Sequence, residues 1–341
     1  MQKKVKTAEI PLELVNYIQA APIAHDQLMQ TASSADVSTI EAWREIWVKN
    51  IAENKKRFGS FAEKGLGKLY NTLRYQPAIV AGSGPSLKRN GAELKDRKGI
   101  KLLSCLHNFH FLEDQGAPAD YYVTLDAGEI TIPEVSEGGS KTPDEYWAIT
   151  KDRVLIAYIG TSPRLLEKWQ GEIYFYNAPM PHPEVDAQID AIEKFWTYVS
   201  SGGNVLGACE YIARAIMGAN PIAFVGADFC FSYDKKFHGW NSKYDKTLGN
   251  VMRTTDIYGN KVYTWASYHG FKCYFDVLAE KVPGVFINCT EGGTFGAYPD
   301  GNIMSVRQMT LQEFFFMYHM NDMVQENCAS PESASAKRTL Y

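Results

Sequence analysis

The chain has 341 residues, of which 45% are hydrophobic and 22% charged, and its formal net charge is −4. This size and composition predict one large folded domain with a smaller appendage, and the lack of a basic block argues against a nucleic-acid partner. No apolar run reaches the roughly 20 residues that span a bilayer, and the N-terminal residues lack the apolar core of a signal peptide, so we expect a cytoplasmic protein without a transmembrane segment.

Three segments follow one another along the chain. Residues 1–70 have apolar residues at helical spacing and predict a helical appendage, which serves as a packing element or a surface for homo-oligomer formation. Residues 71–300 alternate short β-branched runs with helical stretches, which is typical of a parallel sheet covered by helices. Residues 301–341 predict a helix at Leu311–Met323, docked on the core, and then a disordered tail.

The predicted fold class is therefore α/β: Rossmann-like, with a mostly parallel sheet and helices on both faces. The best helix candidate within it is Asn204–Met217, which Gly218 ends. The candidate strands are Ala78–Ala81, Lys101–Cys105, Tyr121–Leu125, Arg153–Tyr158, Ile173–Tyr176, Ile222–Gly226 and Val285–Asn288.

The first candidate site is a glycine turn after the first of these strands. It consists of Gly82, Ser83, Gly84, Pro85 and Ser86, and Pro85 suits the first position of a following helix. Glycines let the backbone approach a ligand closely, and a helix N-terminus offers unpaired N–H groups to a phosphate. The turn is neither a Walker A loop nor a full GxGxxG, and a tight strand–helix turn explains the same residues.

Further candidates follow other predicted strands or precede a helix. Ser201, Gly202 and Gly203 stand before the helix Asn204–Met217 and predict a second anion pocket, although N-capping by a serine is the simpler explanation. Asp126 and Asp228 end strands at positions suited to a sugar hydroxyl, or merely to capping a turn. The remaining candidate contacts to donor or substrate are Asn108, Thr290 and Glu291.

Two of the seven histidines are candidates for acid–base catalysis. His238 lies in a loop with Tyr233 and Trp240, and His269 lies near Trp265 at the start of a predicted helix. A side chain with a pKa near neutrality suits this chemistry, but a loop histidine is more often a surface residue. The six cysteines show no paired CxxC spacing, and neither aspartate belongs to a DxD pattern, so we predict no metal site.

In this order the segments resemble the central domain of the motility-associated-factor glycosyltransferases, which modify flagellin with nonulosonic acids. That domain is grouped with archaeal 6-hydroxymethylpterin diphosphokinases, and it is similar to the sialyltransferases of the Campylobacter type. The resemblance covers roughly residues 65 to 300, and it is carried by residues 77–87, 118–126, 201–203, 225–229 and 288–293.

The resemblance implies an inverting glycosyltransferase with no tightly bound cofactor. The expected donor is a CMP-activated nonulosonic acid or related sugar, the acceptor is a glycan or protein, and a histidine is the base, with Asp228 beside it. The glycine turn would hold the nucleotide, and residues 201–203 would hold the donor carboxylate or phosphate. Two alternatives stay open: a diphosphokinase that uses Mg-ATP on a pterin-like alcohol, and a nucleotide-binding module without catalysis.

Overall fold

A central sheet of eight parallel strands organises the part of the chain that this computed structural model describes, residues 43–179, 182–241, 251–298 and 301–319. The predicted residues 1–42 of the appendage, the end of the C-terminal helix and the tail lie outside these ranges. The strands are β1 Ala78–Ala81, β2 Lys101–Cys105, β3 Tyr121–Thr124, β4 Val154–Tyr158, β5 Glu172–Tyr176, β6 Ile222–Val225, β9 Phe286–Asn288 and β12 Val306–Gln308. Their order in the sheet is β12-β9-β6-β1-β2-β3-β4-β5, which confirms the Rossmann-like α/β class.

Two small hairpins stand outside the central sheet. The first pairs β7 Val251–Thr255 with β8 Lys261–Trp265, and the second pairs β10 Ala297–Tyr298 with β11 Gly301–Asn302. The sequence predictions contained neither hairpin. They also ended the central domain at residue 300, whereas β12 pairs with β9 at residues 306–308 and so extends the sheet beyond that boundary.

Helices and short 3-10 turns connect the strands. None of the helices in the described ranges is long and apolar enough to cross a bilayer. The 3-10 turns lie at Phe61–Lys64, Leu66–Leu69, Gly91–Asp96, Leu106–Asn108 and Thr150–Asp152. The α-helices are α1 43–58, α2 Leu87–Asn90, α3 Phe109–Asp114, α4 Thr131–Ser136, α5 Pro143–Ile149, α6 Pro163–Lys168, α7 Pro183–Ile192, α8 Val205–Tyr211, α9 Ala266–Lys281 and α10 311–319.

Helix α8 matches the predicted helix in position. Asn204 is its N-cap, the helix continues as a π-helix over Ile212–Ile216, and the chain turns at Gly218, whose φ of +76° is the left-handed conformation expected after a helix. Four of the first five residues of α8, from Leu206 to Cys209, are buried, so its N-terminal half packs into the core.

The order in which successive strands are added to the sheet reverses at β1. The chain proceeds outward from β1 through β2 to β5, and it then returns to place β6 on the other side of β1. All residues of β1 and β6 are buried, because both strands lie in the middle of the sheet. In open parallel sheets such a reversal leaves a crevice at the carboxyl ends of the two strands, and ligands bind there.

Helix α1 is attached to the sheet by two buried asparagines. Asn50 Nδ2 donates to the carbonyls of Ala127 and Gly160, each at 3.0 Å. Asn54 Nδ2 donates to the carbonyls of Ile159 and Thr161, each at 2.9 Å. These carbonyls belong to the loops after β3 and β4, so α1 holds the carboxyl ends of two strands beside the crevice.

We expect Asn54→Ala to lower the free energy of unfolding by about 2 kcal/mol, because it leaves two buried carbonyls without a donor. Chemical denaturation measures the difference. Glu53→Ala, at an exposed position of the same helix, is the matched control and should change the value by less than about 0.5 kcal/mol. Equal effects of the two substitutions would contradict the role of Asn54.

Candidate functional site

A cavity of about 210 Å³ opens at the carboxyl ends of β1, β2, β3 and β6. It therefore occupies the crevice that the reversal of strand order creates. Backbone turns form its floor, and aromatic side chains from the loop after β6 and from α9 form one wall. Its lining includes Gly82, Ser83, Gly84, His107, Thr124, Asp126, Glu134, Asn204, Val205, Leu206, Gly226, Asp228, Phe229, His238, Tyr268 and Phe271.

The glycines of the predicted turn are required by a close contact between two loops. Gly82 N donates to Val225 O at 2.8 Å, and Gly84 N donates to Gly226 O at 2.9 Å. A Cβ atom at Gly82 would lie 2.6 Å from Gly226 O, and one at Gly226 would lie 2.4 Å from Gly82 O. Gly226 also has a φ of +62°. The loops after β1 and β6 can approach this closely only because neither carries a side chain there.

The carboxylate of Asp228 lies at the N-terminus of the helix after the glycine turn, where the sequence predicted a ligand phosphate. Ser86 Oγ donates to Asp228 Oδ2 at 2.7 Å, and Ser86 N donates to the same carboxylate at 3.2 Å. Both residues are buried. Ser86 is the N-cap of α2, so Pro85 lies in the turn and does not begin the helix as predicted. The four-residue helix therefore already has an anion at its N-terminus, and Ser86 is turned toward the protein.

Burial raises the pKa of Asp228 to about 6, although the hydrogen bonds from Ser86 oppose this shift. A carboxyl whose folded-state pKa is raised is most stabilising when protonated, so its contribution to stability falls as the pH rises from about 4 to about 6. The carboxylate lines the cavity while it holds the glycine turn, and its ionisation thus changes the charge of the cavity floor.

Asn108 supports the glycine turn and does not itself line the cavity. Its Nδ2 donates to Gly82 O at 3.0 Å and to Ser104 Oγ at 3.0 Å, and its Oδ1 accepts from Trp240 Nε1 at 2.9 Å. Trp240 N in turn donates to Ser83 O at 3.0 Å. Asn108 and Trp240 thus join the glycine turn to the loop that carries His238.

The glycines before α8 have a structural role. Gly202 and Gly203 have φ values of +57° and +85°, and a Cβ at Gly202 would lie 2.5 Å from the ring of Tyr274. Ser201 Oγ accepts from Gly203 N at 3.3 Å. These three residues do not line the cavity, but the next three, Asn204 to Leu206, do. Asn204 Oδ1 takes the N–H of Gly207 at 2.9 Å, and the N-terminus of α8 faces the cavity.

Thr290 and Glu291 lie behind the loop after β6. Thr290 Oγ1 accepts from Ala227 N at 3.1 Å, and Arg89 donates to the carbonyls of Thr290 and Glu291. Glu291 Oε1 accepts from Leu311 N at 3.2 Å, at the start of α10. These contacts fix the loop that carries Asp228, and neither residue lines the cavity.

The structure adds an acid–base group that sequence reasoning missed. His107 follows β2, lines the cavity and lies with Nδ1 3.0 Å from Glu134 Oε1 and Nε2 2.9 Å from Asn241 Oδ1. Burial opposes a charge on the ring, but the hydrogen bond and charge of Glu134 outweigh it and raise the pKa of His107. The missed signal was its position directly after a strand that neighbours β1.

Asp126, predicted from its position after β3, faces the same cluster. Its side chain lines the cavity and is exposed to solvent there. Partial desolvation by neighbouring protein atoms, together with the charge of Glu134, raises the pKa of Asp126 to about 6, and His107 acts in the opposite direction. The polar side of the cavity thus carries two carboxylates and one histidine. Within the described ranges, no group of three or more His, Cys, Asp or Glu side chains is arranged to hold a metal ion.

Of the two predicted histidines, only His238 lines the cavity. Its Nδ1 is 3.2 Å from Tyr268 Oη, and its ring lies 4.7 Å from that of Trp265. Burial, with a smaller contribution from the charge of His107, lowers the pKa of His238. His269 lies on α9 with Nε2 3.6 Å from Cys273 Sγ, away from the cavity lining.

The family model of the 6-hydroxymethylpterin diphosphokinase MptE-like proteins matches residues 46–234, more than half of the chain. The chain belongs to this family. The match includes the glycine turn, His107, Asp126, Glu134 and Asp228, and it ends four residues before His238. No curated protein matches the sequence.

Among solved structures, the fold is similar to that of a MAf glycosyltransferase from Magnetospirillum magneticum AMB-1. The likeness covers 79% of this chain with a TM-score of 0.51, and the two sequences are 15% identical. It covers only 38% of that protein's length. At this identity the likeness establishes a common fold.

We expect Gly84→Ala to destabilise the protein by about 3 kcal/mol, because the new Cβ would lie 2.0 Å from Asp228 Oδ2 and 2.7 Å from Gly226 O. Thermal or chemical unfolding tests this. Gly67→Ala is the matched control, since no atom lies within 4 Å of its Cβ position, and it should leave stability unchanged or raise it by up to about 1 kcal/mol. A tolerated Gly84→Ala would show that the loops after β1 and β6 do not depend on this contact.

Proposed function

We propose that the protein is a transferase that moves a group from a nucleotide-activated donor to a hydroxyl acceptor, and that the group is a sugar. The observation that carries this proposal is the pair of histidines in one cavity, whose pKa values shift in opposite directions from 6.5. At a pH between the two pKa values, such a pair supplies one protonated and one neutral imidazole. The similarity of the fold to a glycosyltransferase supports the choice of a sugar.

The donor phosphate is assigned to the region between the glycine turn and the N-terminus of α8. Ser83 and Gly84 line this part of the cavity together with Asn204 to Leu206. A helix N-terminus carries partial positive charge and favours a phosphate. Protonated His107 adds a full charge when a phosphate oxygen replaces Asn241 as the acceptor of Nε2–H.

In the proposed reaction, His238 is the general base. The acceptor hydroxyl attacks the anomeric carbon as its proton moves to the imidazole of His238, and the bond from that carbon to the phosphate oxygen breaks. The nucleotide monophosphate leaves with the electron pair. His107 and the α8 N-terminus stabilise the charge that develops on this phosphate. The proposed donor is a CMP-linked sugar of the nonulosonic type, used as a co-substrate without a tightly bound cofactor.

A second candidate is diphosphoryl transfer from Mg-ATP to the hydroxymethyl group of a pterin-like alcohol. The family match supports it, and so do the carboxylates of Asp126 and Glu134, both of which face the cavity. Mg²⁺ usually binds one or two carboxylates together with substrate phosphates, so these side chains fit such a complex. In this reaction AMP would be the leaving group, and the two histidines would keep the same roles.

A donor screen separates the two candidates. Purified protein is incubated with CMP-, UDP- and GDP-sugars, and separately with Mg-ATP and a hydroxymethylpterin, and the release of CMP, UDP, GDP or AMP is measured by chromatography. We expect release of CMP, because the glycosyl donor is proposed to be CMP-linked. AMP released only when the pterin is present would favour the diphosphokinase instead. No release from any nucleotide would contradict both.

The pH profile of kcat/KM should be bell-shaped. The base His238 must be neutral, so activity rises as the pH increases through its lowered pKa, below 6.5. The acid His107 must be protonated, so activity falls as the pH increases through its raised pKa, above 6.5. His238→Gln should remove the acidic limb and lower kcat at least about 100-fold, and His107→Gln should remove the alkaline limb.

His319→Gln is the matched control, because His319 Nε2 contacts the carbonyl of Arg97, away from the cavity. It should retain the activity and both limbs of the profile. His269→Gln tests the other histidine suggested by the sequence. Loss of the acidic limb in His269→Gln, with that limb preserved in His238→Gln, would assign the base to His269 and overturn the proposed mechanism.

A further inference from the structure

The β7–β8 hairpin presents a row of cationic and aromatic side chains that begins at the cavity. Arg253 pairs directly with Tyr263 across the hairpin, and Val251 pairs with Trp265. Residues paired in this way lie on the same face, and alternate residues of a strand share it. The opposite face turns inward, since Val262 and Thr264 are buried and Thr264 Oγ1 donates to Phe229 O at 2.6 Å.

The outward face of the hairpin lies next to His238, the proposed base. The ring of Trp265 lies 4.7 Å from that of His238 and 5.2 Å from that of Tyr268, and both His238 and Tyr268 line the cavity. Tyr263 is the next residue of β8 on the same face, about 7 Å further along the strand. A ligand whose hydroxyl reaches His238 is therefore within reach of this face of the hairpin.

Two cations converge at Tyr263. Lys235 Nζ lies 4.3 Å from the centre of the Tyr263 ring, and the Arg253 guanidinium lies 5.9 Å from it. Hydrogen bonds from Arg253 and Lys235, and then their charges, lower the pKa of the Tyr263 hydroxyl. Among the described residues, neither Lys235 nor Arg253 forms an ion pair, whereas the adjacent Lys236 lies 3.6 Å from Asp234. In the described part of the chain no carboxylate pairs with these two cations beside the Tyr263 hydroxyl, and such an arrangement suits an anion.

The position of Lys235 is built into the loop. The turn at 232–237 is closed by Ser232 N donating to Phe237 O and by Lys235 N donating to Ser232 O, both at 2.8 Å. Phe237 N also donates to Ser232 Oγ at 3.0 Å. Within this turn Lys235 has a φ of +60°, a conformation that costs free energy for a residue with a side chain. An ordinary solvated lysine needs neither the closed turn nor this conformation.

We propose that Lys235, Arg253 and Tyr263 bind the anionic group of an acidic sugar acceptor, a carboxylate or a phosphate, and so orient its hydroxyl toward His238. This inference rests on the proposed transfer function and adds the chemical class of the acceptor. Arg253 suits a planar or tetrahedral oxyanion through its two parallel N–H groups, and Tyr263 Oη provides a further donor.

Binding is measured first without any donor. The full chain is titrated with a uronic acid, a hexose phosphate and the corresponding neutral hexose, and calorimetry or NMR gives each Kd. We expect at least one of the two anions to bind at least tenfold more tightly than the neutral sugar, with an affinity that falls as salt is added. The anion that binds more tightly identifies the recognised group as a carboxylate or a phosphate. Equal affinities for all three sugars would overturn the proposal.

Matched variants locate the anion. Lys235→Gln, Arg253→Gln and Tyr263→Phe should each weaken its binding at least fivefold, whereas Lys236→Gln, the neighbouring lysine on the same turn, should leave it within twofold. A circular dichroism spectrum checks that each variant folds. Anion binding that survives all three substitutions lies elsewhere and overturns the proposal.

Donor hydrolysis distinguishes this proposal from the transfer function. Hydrolysis transfers the sugar to water, so it needs the donor site and His238 but not the site for an acceptor sugar. Lys235→Gln should therefore hydrolyse donor at the wild-type rate and lose only its preference for acidic acceptors. If the wild-type protein hydrolyses donor but uses neutral and acidic acceptors equally well, the proposed acceptor site is overturned and the transfer function is not. Anion binding at the hairpin without turnover of any nucleotide would overturn the transfer function.

Discussion

The site depends on the contact between the loops that follow β1 and β6. These strands are neighbours, although most of the central domain separates them in the chain, and the backbone of Gly82 and Gly84 lies directly on that of Gly226. The carboxylate of Asp228 completes the contact by capping α2 through Ser86. This cap occupies the N-terminus of α2, whereas the first residues of α8 line the cavity and direct its dipole there. The geometry of the phosphate region therefore follows from a packing contact.

The same contact divides the cavity into two chemical sides. The loops after β2 and β3 and the helix α4 bring His107, Asp126 and Glu134 to one side. Burial opposes a charge on His107, but Glu134 raises its pKa, and burial together with the charge of Glu134 raises the pKa of Asp126. The loop after β6 brings His238 to the other side, where burial lowers its pKa. Asn108 and Trp240 hold these two loops together. A shift of either loop would thus change the distance between the proposed acid and the proposed base.

Much of the fold can be predicted from the sequence because its central strands are short, apolar and buried, and seven of the eight sheet strands were identified to within a residue or two. The strand β12 has only three residues, Val306–Gln308, and its pattern carries too little information. The β7–β8 hairpin has a detectable signal, two short runs that contain β-branched residues on either side of a turn at Gly259 and Asn260. Glu134 has no such signal, because its position beside His107 depends only on the three-dimensional path that the chain takes after β3.

The sequence located the cavity better than it assigned roles around it. Strand ends are visible in a sequence, and the carboxyl ends of neighbouring parallel strands meet, so three residues chosen for that position, Gly82, Asp126 and Asp228, line the same cavity. Whether a polar group points at a ligand or at the protein depends on its partner. Ser86 and Asp228 satisfy each other, Thr290 supports Ala227, and Asn108 supports Gly82. His107 and His238 differ from these residues because their side-chain partners take no part in the contact between the loops after β1 and β6. A substrate hydroxyl or phosphate can therefore replace such a partner without disrupting that contact.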